Sequence, residues 1–274
     1  MTKQRVQFIA GPSREPVPAE PYRMEKKKKS ADIYFYDVIG SSWEGTTAKQ
    51  FAKDLKEIGS DIETLNIFMN SPGGAVFDGV AIYNQLVRHS AKKIVQIDGY
   101  AASIASVIAM AGDEIRIASN GMIMIHNPWA WVDIFMQGES EDFRKAADQL
   151  VKAADKLDKI RESILDTYVR RTGTDEDKIS QMMADETWLT AEESVEMGFA
   201  DKLTEAVELA ALAKHDLKAF RNIPKSLAEI MASSNREGGQ PPSGNAGEAP
   251  APHPAFVKAS AHLTRLGLRP QGQP

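Results

Sequence analysis

Apolar and polar positions along this chain follow two periods, near 2 and near 3.6, and the two alternate. Ile33-Tyr34-Phe35-Tyr36-Asp37-Val38-Ile39 is β-branched and aromatic and predicts a first core strand. Thr46 or Thr47 opens a helix with Phe51, Leu55 and Ile58 on one face, and Gly59 closes it. Thr64 to Met69 predicts a second strand, which runs into the breaker cluster Asn70-Ser71-Pro72-Gly73-Gly74. Phe77 to His89 is an amphipathic helix, and Lys93 to Asp98 is a third strand. A small-residue stretch follows, Gly99-Tyr100-Ala101-Ala102-Ser103, and leads into a helix over 104–111. Glu114 to Ala118 and Met122 to His126 predict two more strands. Strand and helix alternating at this spacing imply an α/β fold with right-handed crossovers.

The second half is dominated by helix. Phe143, Ala147, Leu150, Ala154, Leu157, Ile160, Ile164 and Tyr168 recur every three or four residues, which predicts one long helix over about 139–171. Such a helix reaches about 45 Å at 1.5 Å per residue, more than this core needs, so its stripe is expected to meet another subunit as well. Asp175 to Ala184 is a short helix, Trp188-Leu189 leads on, and Thr190 with Glu193 forms a capping box. Residues 1–30 carry four prolines and the basic run Lys26 to Lys29, and are expected to be a flexible arm. The folded domain is placed at 31–214. Residues 232–254 are Ser-, Gly-, Pro- and Ala-rich, and 215–274 are expected to be a mostly disordered tail, with one short helix over 255–268.

Composition narrows the function. The 274 residues carry a net charge of -5, which argues against a nucleic-acid binder. The absence of cysteine removes disulfides, a thiol nucleophile and Cys-ligated zinc. No apolar run approaches the roughly 20 residues of a membrane span, and Met1 to Ala10 does not read as a signal peptide. A cytoplasmic protein needing no cofactor or metal is expected.

Three local features carry chemistry. Ser103 stands at a strand-to-helix turn among small neighbours, where a nucleophile is held beside helix N–H groups; alone it also reads as a helix cap. His126 ends an apolar strand before Asn127-Pro128, and alone it also reads as a structural histidine. Gly73-Gly74 follows a strand end, where backbone N–H groups approach a substrate closely or simply form a tight turn.

Asn70-Ser71-Pro72-Gly73-Gly74, Gly99-Tyr100-Ala101-Ala102-Ser103 and Met124-Ile125-His126-Asn127-Pro128 resemble the three signature blocks of the proteolytic subunit of the Clp serine protease family. Trp188 to Asp201 resembles its final block, and the likeness covers about residues 31–205. It implies a ClpP/crotonase-like spiral of ββα units whose long handle helix, the 139–171 stripe, interdigitates between two stacked rings, usually heptameric. Ser103 would be the nucleophile and His126 the general base, with the N–H groups of Gly74 and Ile104 as oxyanion hole. Gly73, Ala75 and Val76, with the run 129–135, would flank an extended peptide substrate. The family pattern has Asp two residues before the aromatic of the last block. This chain has Glu186 there, which is taken as the triad acid, with its neighbour Asp185 as runner-up.

The Glu-Thr-Trp-Leu-Thr-Ala-Glu-Glu run, the aromatic residues after His126 and the long tail look more like phage-encoded members, which cut scaffold and capsid proteins in head maturation. That would place the chain in the host cytoplasm or procapsid interior. The alternative is a housekeeping-type subunit served by a separate ATPase, since no Walker motif is present. An acyl-CoA enzyme of the crotonase class, an inactive ring-forming homologue and a Ser-Lys enzyme are the remaining readings.

Overall fold

The computed structural model describes residues 8–9, 22–40, 45–130, 139–206, 217, 220–225 and 227. Contacts divide the chain into Met1–Asn235 and Arg236–Pro274, and every described residue lies in the first unit. The expected helix over 255–268, the run 131–135 and the tail beyond Leu227 lie outside the described residues.

The elements are β1 (Phe8–Ile9), β2 (Tyr22–Lys26), β3 (Ser30–Phe35), α1 (Ala48–Ile58), β4 (Thr64–Ser71), α2 (Val76–Arg88), β5 (Lys92–Ala102) and α3 (Ile104–Ala109). They continue with β6 (Glu114–Ala118), β7 (Met122–Ile125), α4 (Ser140–Thr172), α5 (Glu176–Ala184), β8 (Thr187–Thr190), α6 (Ala191–Glu196) and β9 (Lys202–Thr204). One nine-stranded sheet runs β1-β9-β6-β5-β4-β3-β2, with β7 joined to β5 and β8 joined to β7. Its central pairs are parallel, and β2 closes one edge antiparallel to β3. Leu65, Ile67 and Met69 of β4, Val95 and Ile97 of β5, and Ile115 and Ile117 of β6 are fully buried. Their period of two faces them into one core under the helices.

Local signals set several boundaries as expected. The Thr47 hydroxyl accepts from Gln50 N at 3.2 Å to cap α1, and Gly59 ends it at φ 83°. Thr190 and Glu193 form the reciprocal capping box of α6. Three differences are tertiary in origin. Tyr22–Lys26, expected within the arm, is a strand because β3 offers it an unpaired edge in register from Tyr22↔Phe35 to Lys26↔Ala31. The first core strand ends at Phe35 rather than Ile39, which keeps only isolated bridges to Thr46 and Gly74. The third predicted strand continues past Asp98 to Ala102, because β5 changes partners. Residues 94–97 pair with β6, and Tyr100 to Ala102 pair with β7.

The long helix divides in two. Ile164, Leu165 and Tyr168 are buried against the core, whereas Phe143 and Leu150 are 51% and 38% exposed. Helix α3 is buried along its whole length and packs on α2 where Gly79 faces Ile104. A Cβ on Gly79 would lie 2.2 Å from Ile104 Cγ1, so the Ile104 side chain packs where any larger residue on α2 would clash. Gly79→Ala is therefore expected to destabilise the fold by about 1–3 kcal/mol, read from the denaturant midpoint. An unchanged midpoint would show that α2 and α3 separate freely.

Candidate active site

The change of partners in β5 builds the site. Pairing stops at Ala102↔Met124, so Ser103 leaves the end of β5 beside the end of β7, where His126 follows Ile125. Ser103 Oγ and His126 Nε2 lie 2.7 Å apart. Ser103 holds φ 55° and ψ -130°, a conformation that costs an L-residue about 1–3 kcal/mol. Its neighbours enforce it: Ser103 N donates to Met124 O at 3.0 Å, and its carbonyl accepts from Ser106 N at 3.0 Å and from Ser106 Oγ at 2.5 Å. Ser106 Oγ is in turn 2.8 Å from the buried Tyr168 hydroxyl of α4. Burial raises the Tyr168 pKa far above its ordinary range, so the phenol stays neutral.

The carboxylates stand at the turn before the third strand of this ladder. β7 and β8 are antiparallel, and their last pair is Ile125↔Thr187. Beyond it the register breaks: Asn127 N and Glu186 N both donate to Met183 O, at 3.0 and 3.3 Å. Glu186 is buried, at 4% exposure, and turns the chain at φ 51°. Asp185 is exposed at the end of α5, where its carboxylate accepts from Gln181 Nε2 at 2.9 Å. The Glu186 Oε1 atom accepts the backbone N–H groups of Arg221 and Asn222 at 2.6 and 2.7 Å. Burial pushes the His126 pKa down from 6.5; the Glu186 charge opposes that shift and the Arg221 charge adds to it.

Gly73 closes the other side. The Ser71 hydroxyl donates to Asp37 O at 2.6 Å and accepts from Gly73 N at 3.2 Å, which fixes the turn after β4. Gly73 has φ 90°, and a Cβ there would come within 2.8 Å of Ser103 Cβ and 3.0 Å of Ile104 N. Ile39 N donates to Gly73 O at 2.7 Å, and Ala75 N donates to Ile39 O at 2.8 Å. In such a bridge the N–H of the middle residue, Gly74, points away from Ile39. A Cβ on Gly74 would meet Ile39 O at 2.1 Å, so the bridge itself requires glycine. Ala75 caps α2 and Val76 is already its first residue, so the extended backbone here is short. The N–H of Ile104, the first residue of α3, has no partner within its own helix.

Ser103 and His126 thus meet at adjacent strand ends with Gly73 against the serine, and the charge of the buried Glu186 acts on His126. Asp185 does not join them. Sequence reasoning missed Phe220, Arg221 and Asn222, which no local pattern marks, and the Ser106–Tyr168 bond, which links residues 62 positions apart. Among the described residues no three or more His, Asp or Glu side chains are grouped to hold a metal, and no helix is long and apolar enough to cross a membrane.

Fold and cluster define an α/β protein with a serine–histidine couple at the ends of neighbouring parallel strands. The family described as Clp protease matches residues 29–207, and the chain belongs to it. The chain is 30% identical over 142 residues to ATP-dependent Clp protease proteolytic subunit 1 of Protochlamydia amoebophila (strain UWE25), covering 51% of this chain and 65% of that protein. The fold is that of ClpP: a single-residue mutant of ClpP1 from Listeria monocytogenes superposes with a TM-score of 0.53 at 22% identity, covering 66% of this chain and 94% of that one.

The electrostatics carry a signed prediction. His126 is expected to titrate below 6.5 by NMR of histidine-labelled protein, because burial and Arg221 disfavour the imidazolium. Arg221→Gln removes a repelling charge and moves the midpoint up. Glu186→Gln removes the attracting one and moves it down. The opposite order would place Glu186 outside electrostatic reach of the ring.

Proposed function

We propose that this chain is a serine endopeptidase with Ser103 as nucleophile, His126 as general base and Glu186 as the acid that orients it. The 2.7 Å contact between Ser103 Oγ and His126 Nε2, on a serine held at positive φ, is the observation that carries this reading. Ser103 Oγ attacks the peptide carbonyl carbon as its proton passes to His126 Nε2. The N–H groups of Gly74 and Ile104 receive the developing oxyanion, a donor of this kind contributing about 3–4 kcal/mol to the transition state. The imidazolium then protonates the leaving amine. Water, deprotonated by the same His126, releases the acyl group and restores Ser103. Gly73 lies where an extended peptide would pass the serine, and Ala75 and Val76 flank it from the start of α2.

Ser103→Ala is expected to lower peptide hydrolysis by about 10³-fold or more and to abolish labelling by a fluorophosphonate, with the fold intact by circular dichroism. Native protein that resists the probe would favour an acyl-CoA enzyme of the crotonase type or an inactive ring component.

The working form in this reading is a homo-oligomer of stacked rings. Phe143, Leu150 and Val151, at 51%, 38% and 60% exposure on one 33-residue helix, are what such an interface would bury. Phe143→Asp is expected to shift the mass in analytical ultracentrifugation toward smaller species. An unchanged mass would remove α4 from the interface.

The substrates we assign are scaffold and capsid proteins in phage head maturation, acting in the host cytoplasm or procapsid interior. The block around Glu186 and Trp188, and the long extension past the family match, support this branch. A housekeeping role beside a separate ATPase is the other reading, favoured by the relative described as an ATP-dependent proteolytic subunit. Mass spectrometry of products from native and Ser103→Ala chains mixed with the scaffold protein, with no ATPase present, separates the two. Ser103-dependent fragments support head maturation; an intact scaffold protein supports the ATPase-served role.

A further inference from the structure

The family match ends at residue 207, yet the chain beyond it returns to the site. Leu217 and Leu227 are buried in a small second core with Tyr100, Ala102 and Met124, the residues that flank Ser103 and His126. Phe220 meets the His126 ring edge-on at 5.8 Å and the Trp188 ring at 5.9 Å. Asn222 Nδ2 donates to Asp185 O at 2.7 Å, and the N–H groups of Arg221 and Asn222 both donate to Glu186 Oε1.

A glutamate in place of aspartate carries one more methylene and one more rotor, so its carboxylate has more positions to choose from. Two charge-assisted N–H bonds on one oxygen remove that freedom and fix the carboxylate whose charge acts on His126. The Ser103–His126 contact is intact beneath Phe220, so the segment does not pull the couple apart. We propose that the segment bearing Leu217, Phe220, Arg221, Asn222 and Leu227 is a strap that positions Glu186, so the machinery is completed from outside the family region. This rests on the hydrolytic reading above for its consequence in rate, but not for its geometry. The charges acting on His126 are those of Glu186 and Arg221; the Arg221 side chain is exposed, with Nε 3.9 Å from Glu186 Oε2.

The test uses the full chain. Asn222→Pro deletes one N–H donor to Glu186, and Asn222→Ala keeps it as the side-chain control. Phe220→Ala loosens the strap without touching the donors, and serves if the proline variant does not fold. Two readouts are taken: the His126 midpoint by NMR, and the rate of fluorophosphonate reaction at Ser103. Asn222→Pro is expected to lower the midpoint as Glu186→Gln does, and both strap variants to slow labelling by about 10- to 100-fold; Phe220→Ala also uncovers the His126 ring, which by itself raises the midpoint, so this variant is read by its labelling rate. The Asn222→Ala midpoint stays with the native chain. Combined with Glu186→Gln, Asn222→Pro is expected to add no further change, since both act through one carboxylate. A midpoint that moves in Glu186→Gln but not in Asn222→Pro, or a labelling rate unchanged in Phe220→Ala, overturns the proposal. So does faster labelling in the strap variants, which would make the segment an inhibitory cover. Native chain that never reacts, while the midpoints still move together, sinks the hydrolytic reading and leaves the strap standing.

Discussion

Strand β5 has two neighbours on the same side, one after the other, and the site exists because of that. Its first half takes β6 and its last three residues take β7. A strand that kept one partner would carry Ser103 into a continuous parallel sheet with its backbone groups paired. By exchanging partners, β5 delivers Ser103 to the point where pairing stops and the chain turns through positive φ. The same β7 then carries His126 past its own last pair, and Glu186 stands in the turn just before β8, the strand antiparallel to β7. Backbone pairing of β5, β7 and β8 thus sets the chain positions from which the three side chains project.

The strain at Ser103 is held by bonds that reach in two directions. Met124 O takes its N–H across the ladder, and Ser106 takes its carbonyl from the helix that follows. Tyr168 extends that second link into α4, whose far end is exposed and apolar. One helix therefore touches both the backbone of the serine turn and the surface assigned to assembly. The buried end is neutral and hydrogen-bonded, as a low-dielectric interior requires.

Element boundaries were legible where the signal was local. Thr47, Gly59, Thr190 with Glu193, and the 3.6-residue stripe of α4 each act within a turn or two, and each stands where its residues imply. Strand ends were not legible. Gly99 to Ala102 reads as a turn because its residues are small, yet it is strand, since β7 supplies the pairing. Tyr22 to Lys26 reads as an arm because basic residues follow it, yet an open edge of β3 recruits it.

The site divides along the same line. Ser103, His126 and the glycine pair were singled out from sequence, but each alone also reads as a cap, a structural histidine or a tight turn, and their roles came from the resemblance of their blocks to the Clp family. The choice between Glu186 and Asp185 was not legible, since two adjacent carboxylates look alike until the fold buries one and exposes the other. Nor was the return of Phe220, Arg221 and Asn222, since the bonds of the last two to Glu186 come from backbone N–H groups that every residue but proline carries. Sequence by itself determined the chemistry available and the helices that frame it, because those depend on side-chain identity and short-range spacing. Only the tertiary structure decided which carboxylate is buried and what holds it, because burial and backbone donation depend on partners distant in the chain.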